Sequence, residues 1–149
     1  MWRFLYGIVY TNEDFCRFGF KDNSKCSFCN AEGQSKEHLF LSCPKVVLFR
    51  NNVLQKYNSI FKDCTVNDKV RMFGLENTNL AFVDDANLIL ALMNKYIYYN
   101  NFHVRELSVH AFAAELLDME KVEYDIAARK GKLGTHLIKW DQIKINILQ

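Results

Sequence analysis

The sequence predicts a mainly α-helical protein in which a small cysteine–histidine knuckle is fused to a helical bundle. Three observations carry that prediction. Only six glycines and one proline are spread over 149 residues, too few turn formers for a fold of many short strands. Apolar residues recur at every third or fourth position through long stretches, which is the helical period. Three thiols and one imidazole, those of Cys26, Cys29, His38 and Cys43, fall close together near the start of the chain. The expected organisation is a knuckle region with flanking short helices, residues 1–50, and a bundle, residues 51–149.

The first element is an apolar run. Trp2, Leu5, Ile8 and Val9 share one helical face over residues 2–10. The run is about ten residues long and lacks a small-residue cleavage site, so it is neither a membrane span nor a visible targeting segment. Such an abrupt apolar start is equally what a piece of a longer chain would show. Thr11 then opens a second short helix through Phe15 and Phe18, with Asp14 three residues on as its capping-box partner, and Gly19 closes it. Residues 20–25 form a polar turn into the first cysteine pair, and residues 30–33 form another.

The thiols and the imidazole read C-x2-C-x8-H-x4-C, a complete tetrahedral ligand set for zinc. Zinc binds thiolate and neutral imidazole without redox change, and four protein ligands leave no position for a catalytic water, so such a site is structural. The C-x2-C turn can aim its backbone amides at the sulfurs. Ser35 reads as the N-cap of a short helix carrying His38, and the return to Cys43 five residues later brings that thiol to roughly the same face before Pro44.

From Lys45 to Phe61 the spacing of Val46, Phe49, Val53, Tyr57 and Ile60 is that of an amphipathic helix joined directly to the last ligand. Residues 66–74 suggest a short helix ended by Gly74, and 75–82 a loop. Asp84 or Asp85 would then cap a strong helix from Ala86 to about Asn100. Its nearly charge-free outer side implies burial between neighbours. A long helix follows from about Val104 to Lys130, with Leu107, Phe112, Leu116, Met119, Val122 and Ile126 facing inward. A break at Gly131 to Gly134 precedes a tail helix around Ile138 and Trp140.

Composition narrows the setting. Half the residues are hydrophobic and 14% are aromatic, so a packed interior is expected rather than disorder. The length allows about two thirds of the unfolded surface to be buried. Net charge is +2, with seven Lys/Arg against five acids in residues 1–52 and twelve of each in residues 53–149. Three thiolates around a divalent ion would leave a centre of about −1, which part of that basic excess can neutralise. Cys16 and Cys64 stand outside the ligand pattern and read as buried thiols, which fits a reducing, intracellular compartment, nucleus or cytoplasm, rather than a disulfide scaffold. His103 and His110 lie seven apart without a third ligand, and His136 carries no recognisable signal.

The blocks Leu5-Tyr6-Gly7-Ile8-Val9-Tyr10-Thr11-Asn12, Phe18-Gly19, Cys26-Ser27-Phe28-Cys29 and Glu37-His38-Leu39-Phe40-Leu41-Ser42-Cys43-Pro44 resemble the C-terminal region of non-LTR (LINE-type) retrotransposon reverse transcriptases. These polyproteins carry a Cys-Cys-His-Cys zinc motif in a helical segment after the polymerase. The likeness is looser in Asn94-Lys95-Tyr96-Ile97-Tyr98, Glu123-Tyr124-Asp125-Ile126-Ala127 and Lys139-Trp140. Phe49 stands where the family often has Trp.

The resemblance implies Zn2+ held by Cys26, Cys29, His38 and Cys43. It also implies a non-catalytic accessory domain that binds RNA or single-stranded DNA beside the reverse transcriptase core of the same polyprotein, in support of target-primed reverse transcription. Zinc knuckles bind single strands by stacking and phosphate contacts, which makes Phe28 with Lys25, Lys36, Lys45 and Arg50 the candidate contact set. Phe28 packing beneath the knuckle, and the bases forming a merely solvated face, stay open as alternatives. So does a structural or protein-interaction module that docks onto a polymerase without touching nucleic acid. Phe82-Val83-Asp84-Asp85 has the form of a polymerase metal hairpin, but it runs into helical spacing without an upstream carboxylate strand, so helix capping accounts for it.

Overall fold

Helical order in the computed structural model follows the apolar periodicity, element by element. The structure describes residues 9–31, 33–76 and 83–148. The expected face of Trp2, Leu5 and Ile8 lies outside them. The elements are α1 (Asn12–Arg17), a π-helical turn (His38–Ser42), α2 (Pro44–Lys56), α3 (Asn58–Phe61), α4 (Asp68–Phe73), α5 (Val83–Phe102), α6 (Val109–Arg129) and α7 (Leu133–Leu148). No strand occurs among the described residues, and the mainly helical class is as the sequence predicts.

Local chemistry explains where the elements start and stop. Thr11 closes a capping box with Asp14 at α1, its backbone N–H and its hydroxyl both donating to Asp14 Oδ2 at 3.0 Å. Gly19 follows at φ 76°, a left-handed conformation that glycine adopts without the Cβ penalty. The Asn67 side chain caps α4 by accepting from the Val70 amide, and Ser108 caps α6 by accepting from the Ala111 amide.

Four boundaries or faces differ from the sequence reading. The helix expected to run unbroken to Phe61 is interrupted at Tyr57, and α3 then places both Ile60 and Phe61 in the core. Helix α5 begins at Val83, so Asp84 and Asp85 sit in its first turn rather than at its cap. The exposed Asp84 charge suits the positive end of the helix dipole there, whereas Asp85 is buried. Helix α6 starts five residues later than Val104, because Val104 has φ 52°, which ends helical continuity.

The fourth difference is a face. Phe112 and Leu116 are buried as expected, but Val122 and Ile126 are exposed, and so is Ile138 on α7. The C-terminal half of α6 instead turns polar groups toward α7. Glu120 accepts from His136 Nε2 at 3.1 Å and pairs with Lys144 at 2.7 Å. Glu123 accepts from Lys139 and from the Trp140 indole. Buried polar groups need partners, and this pairing fixes which face of α6 meets α7.

One hydrophobic cluster runs through knuckle and bundle alike, from Cys26, Leu39, Phe40 and Cys43 through Val46, Phe49 and Val53 to Ile89, Leu90, Met93, Ile97, Trp140 and Ile143. At its centre Phe49, Tyr96 and Phe112 contact one another with ring centroids 5.4 to 5.9 Å apart, spacings at which aromatic pairs add to plain area burial. The charge-poor α5 is buried along most of its length. No helix among the described residues is long and apolar enough to cross a membrane.

Candidate metal centre

Cys26, Cys29, His38 and Cys43 converge. Their ligand atoms all lie within 4.8 Å of one another. Cys26 Sγ and Cys43 Sγ are 3.8 Å apart, and Cys29 Sγ is 3.3 Å from His38 Nε2. Zinc–sulfur bonds of about 2.3 Å at tetrahedral angles put sulfurs about 3.8 Å apart, so the donor set fits zinc. No further group of three or more potential ligands occurs among the described residues. His103 and His110 therefore gain no third partner.

Each ligand is placed by local structure. Cys26 and Cys29 flank a tight turn closed by the Asn30 amide donating to the Cys26 carbonyl, with Asn30 in the left-handed region at φ 60°. Ser35 caps the next helical turn, its Oγ accepting from the His38 amide at 3.0 Å. The return to Cys43 differs from an ordinary helix. Five residues of α-helix overshoot a full turn by about 140°, whereas here the Cys43 amide donates to the His38 carbonyl at 2.8 Å across the wider i→i+5 turn. The π-helical turn thereby lets Cys43 face the same point as His38 while Leu39 and Phe40 stay buried. Pro44 then opens α2 at a position that needs no amide donor.

Electrostatics at the two buried thiols also call for a cation. Burial pushes the Cys26 thiol up, but the amides of Cys29 and Phe28 and the Gln34 side chain outweigh it and bring it down to about 7. Burial, with the charge of Cys26 beside it, pushes Cys43 up to about 12 against the pull of the Val46 and Lys45 amides. Three thiolates cannot share this space uncompensated, and a divalent ion removes the conflict. Cys26 and Cys43 are fully buried whereas Cys29 and His38 are half-buried, so the centre sits on the flank of the core with one edge toward solvent.

Sequence reasoning missed the side chain that anchors this centre. Gln34 is fully buried. Its Oε1 accepts from the Asn12 amide and from Asn101 Nδ2, both at 3.2 Å, and its Nε2 donates to Asn101 Oδ1 at 2.8 Å. Asn12 Nδ2 in turn donates to the Lys25 carbonyl and to Ser27 Oγ. The knuckle is thus tied to α1 and to the end of α5 by a polar lock whose members sit 22 and 67 residues from Gln34. No local motif marks such a residue.

Of the candidate nucleic-acid residues, Phe28 and Lys45 line one cleft and Arg50 is turned away into the core. Arg50 is a correction: it is only 1% exposed, its Nη2 donates to Asn94 Oδ1 at 2.6 Å, and burial with the nearby Arg71 charge pulls it down to about 10. It lies on the core side of α2 and cannot reach a ligand in solvent. Lys25 and Lys45 are exposed and Lys36 is half-buried. Phe28 is half-buried against the core and lines a cleft of about 450 Å3 whose walls include Lys45, Asn52 and Arg105. Cys16 and Cys64 are half-buried free thiols.

Residues 1–49 match the family model described as zinc-binding in reverse transcriptase. No curated protein and no solved structure matches the chain. The matched third of the chain contains all four donors, and the match and the donor set agree on zinc. The N-terminal segment is thereby similar to a zinc-binding module associated with reverse transcriptases, a non-catalytic part of such proteins.

Proposed function

We propose that this chain is a zinc-stabilised, non-catalytic accessory domain of a LINE-type retrotransposon reverse transcriptase, and that it binds RNA or single-stranded DNA in support of target-primed reverse transcription. The observation that carries the reading is the family match over residues 1–49 together with a four-donor cluster inside it. Cys26, Cys29, His38 and Cys43 hold the ion, which supplies a rigid cross-link between the C-x2-C turn and the start of α2. With four protein donors the ion keeps no open position, so its role is structural. Lys25, Lys36 and Lys45 supply positive charge around the knuckle, and Phe28 with the adjoining cleft offers a half-exposed ring beside Lys45 and Arg105.

Titration of zinc-loaded protein with a labelled single-stranded RNA tests the reading. Binding that weakens steeply as salt rises is the expected result, since phosphate contacts release counterions. Absence of binding at low ionic strength contradicts it. A docking module for the polymerase core is the second reading. It is favoured by the exposed apolar residues on α6 and α7, namely Val122, Ile126, Leu137 and Ile138. In that case the polymerase core, and not RNA, is retained by the zinc-loaded protein.

A further inference from the structure

Beside the knuckle, residues in and flanking α1 and residues at and just past the C-terminal end of α5 form an unbroken line of ring contacts. Phe18 meets Tyr10 at 5.7 Å, Tyr10 meets Phe15 at 6.2 Å, and Phe15 crosses to Phe102 at 6.2 Å. Phe102 then meets His103 at 5.2 Å, and His103 meets Tyr99 at 4.3 Å. All five pairs are tilted or edge-on, with interplanar angles of 51° to 82°, so none is stacked face to face and no pair covers a face of both its rings. Phe18, Tyr10, Phe102 and Tyr99 are each between 42% and 56% exposed. Leaving this much aromatic surface in water gives up burial energy that an inward orientation would have recovered.

Three cations are set along the line. The Arg17 guanidinium lies 5.1 Å from the centroid of Phe18, Lys21 Nζ lies 5.9 Å from that of Phe15, and Arg105 lies 5.7 Å from that of Tyr99. Arg17 also pairs with Asp14 at 3.0 Å, and Lys21 donates to Asn12 Oδ1 at 2.6 Å. The polar lock joins Asn12 of α1 and Asn101 of α5 through the buried Gln34, and so ties both ends of the line to the knuckle. The strip is therefore a preorganised platform rather than a loose loop.

We infer that this aromatic strip, from Phe18 through Tyr10, Phe15 and Phe102 to Tyr99, is the stacking surface on which the protein holds the bases of a single-stranded nucleic acid, with Arg17, Lys21 and Arg105 on its phosphates. The inference rests on the nucleic-acid reading above and places its main contact beside the zinc centre rather than on it. Single strands fit because their bases offer free faces to aromatic side chains, whereas in a duplex those faces are stacked on one another. A cation at both ends and in the middle of the strip matches a backbone running its length.

The test uses the full zinc-loaded chain, fluorescence anisotropy, a labelled 12-nucleotide oligouridine and an abasic oligomer of the same length. Phe18→Leu and Tyr99→Leu keep apolar volume at exposed positions while removing the π-face, and unchanged melting temperatures confirm that they fold. Each is expected to weaken oligouridine binding by about five- to 150-fold, the effect of losing one base–aromatic stack, while leaving affinity for the abasic oligomer unchanged. Arg105→Gln is expected to weaken binding to both oligomers. If the wild type binds oligouridine and both leucine variants match it, the strip is not the contact and the broader function stands. Equal losses on both oligomers also overturn stacking. If the wild type binds neither at low salt, the nucleic-acid reading falls with it.

Discussion

Replacing Gln34 by alanine probes how the knuckle is fastened to the bundle. The substitution removes all three hydrogen bonds that the Gln34 side chain makes to Asn12 and Asn101. It leaves the Asn12 amide and both polar ends of the Asn101 side chain without their partner in a buried setting. A buried group stranded in this way costs about 1–3 kcal/mol, and water entering the vacated space recovers part of it, so the net loss should be about 2–4 kcal/mol. That is a large share of a typical domain stability of about 5–15 kcal/mol. Urea unfolding of the zinc-saturated protein measures it, alongside Asn101→Ala and the double variant. Direct contact predicts that the two losses couple by about 1 kcal/mol or more. A loss below about 0.5 kcal/mol with simple additivity would refute the polar lock as a fastening.

Two further perturbations test particular physical claims. Asp85 is raised to about 6 by burial first and by the Asp84 charge second, with Lys139 opposing. Its folded form therefore holds a proton that the unfolded chain releases near 4, so this group costs stability as pH rises from about 4 to 6. Asp85→Asn should stabilise the protein by up to ~3 kcal/mol at pH 7 and by almost nothing at pH 4, as read by unfolding at the two pH values; a pH-independent difference would count against it. Val104 is a β-branched residue at φ 52° and mostly exposed. Val104→Gly should relieve strain and raise stability by about 1 kcal/mol, whereas a destabilised variant would mean that the backbone there is not strained.

The metal centre was readable in the sequence because its chemistry is local: four donors at fixed spacing, Ser35 as cap and Pro44 as helix start all act within a few residues. The capping box at Thr11 and Asp14 was legible for the same reason. What the sequence could not supply depended on where distant elements land. Arg50 shares the inward face of α2 with Val46 and Val53 by helical spacing, but a buried guanidinium is accounted for only once Asn94 on α5 supplies its acceptor. Gln34 carries no signal until Asn101 is brought to it. Val122 and Ile126 continue the apolar period of α6 past the point where the core ends and the Glu120–His136 pairing takes over. His136, silent as a residue type, becomes a buried partner for the same reason. The π-helical turn was hidden as well, because the fifth-residue return to Cys43 needs wider turn geometry that composition does not reveal.

Zinc content ties these readings together. Structural zinc contributes roughly 10–16 kcal/mol of apparent binding energy in small modules, comparable to or larger than the whole stability of a domain at about 5–15 kcal/mol. Since Cys26, Leu39, Phe40 and Cys43 share one core with α5 and α7, losing the metal should loosen more than the knuckle. Elemental analysis of the purified chain, paired with thermal melts before and after chelation, is the direct measurement. The account predicts one zinc per chain in the wild type, none in His38→Ala or Cys43→Ala, and a sharp fall in melting temperature when the wild type is chelated. Zinc-free wild-type protein whose melt does not change on chelation would contradict it.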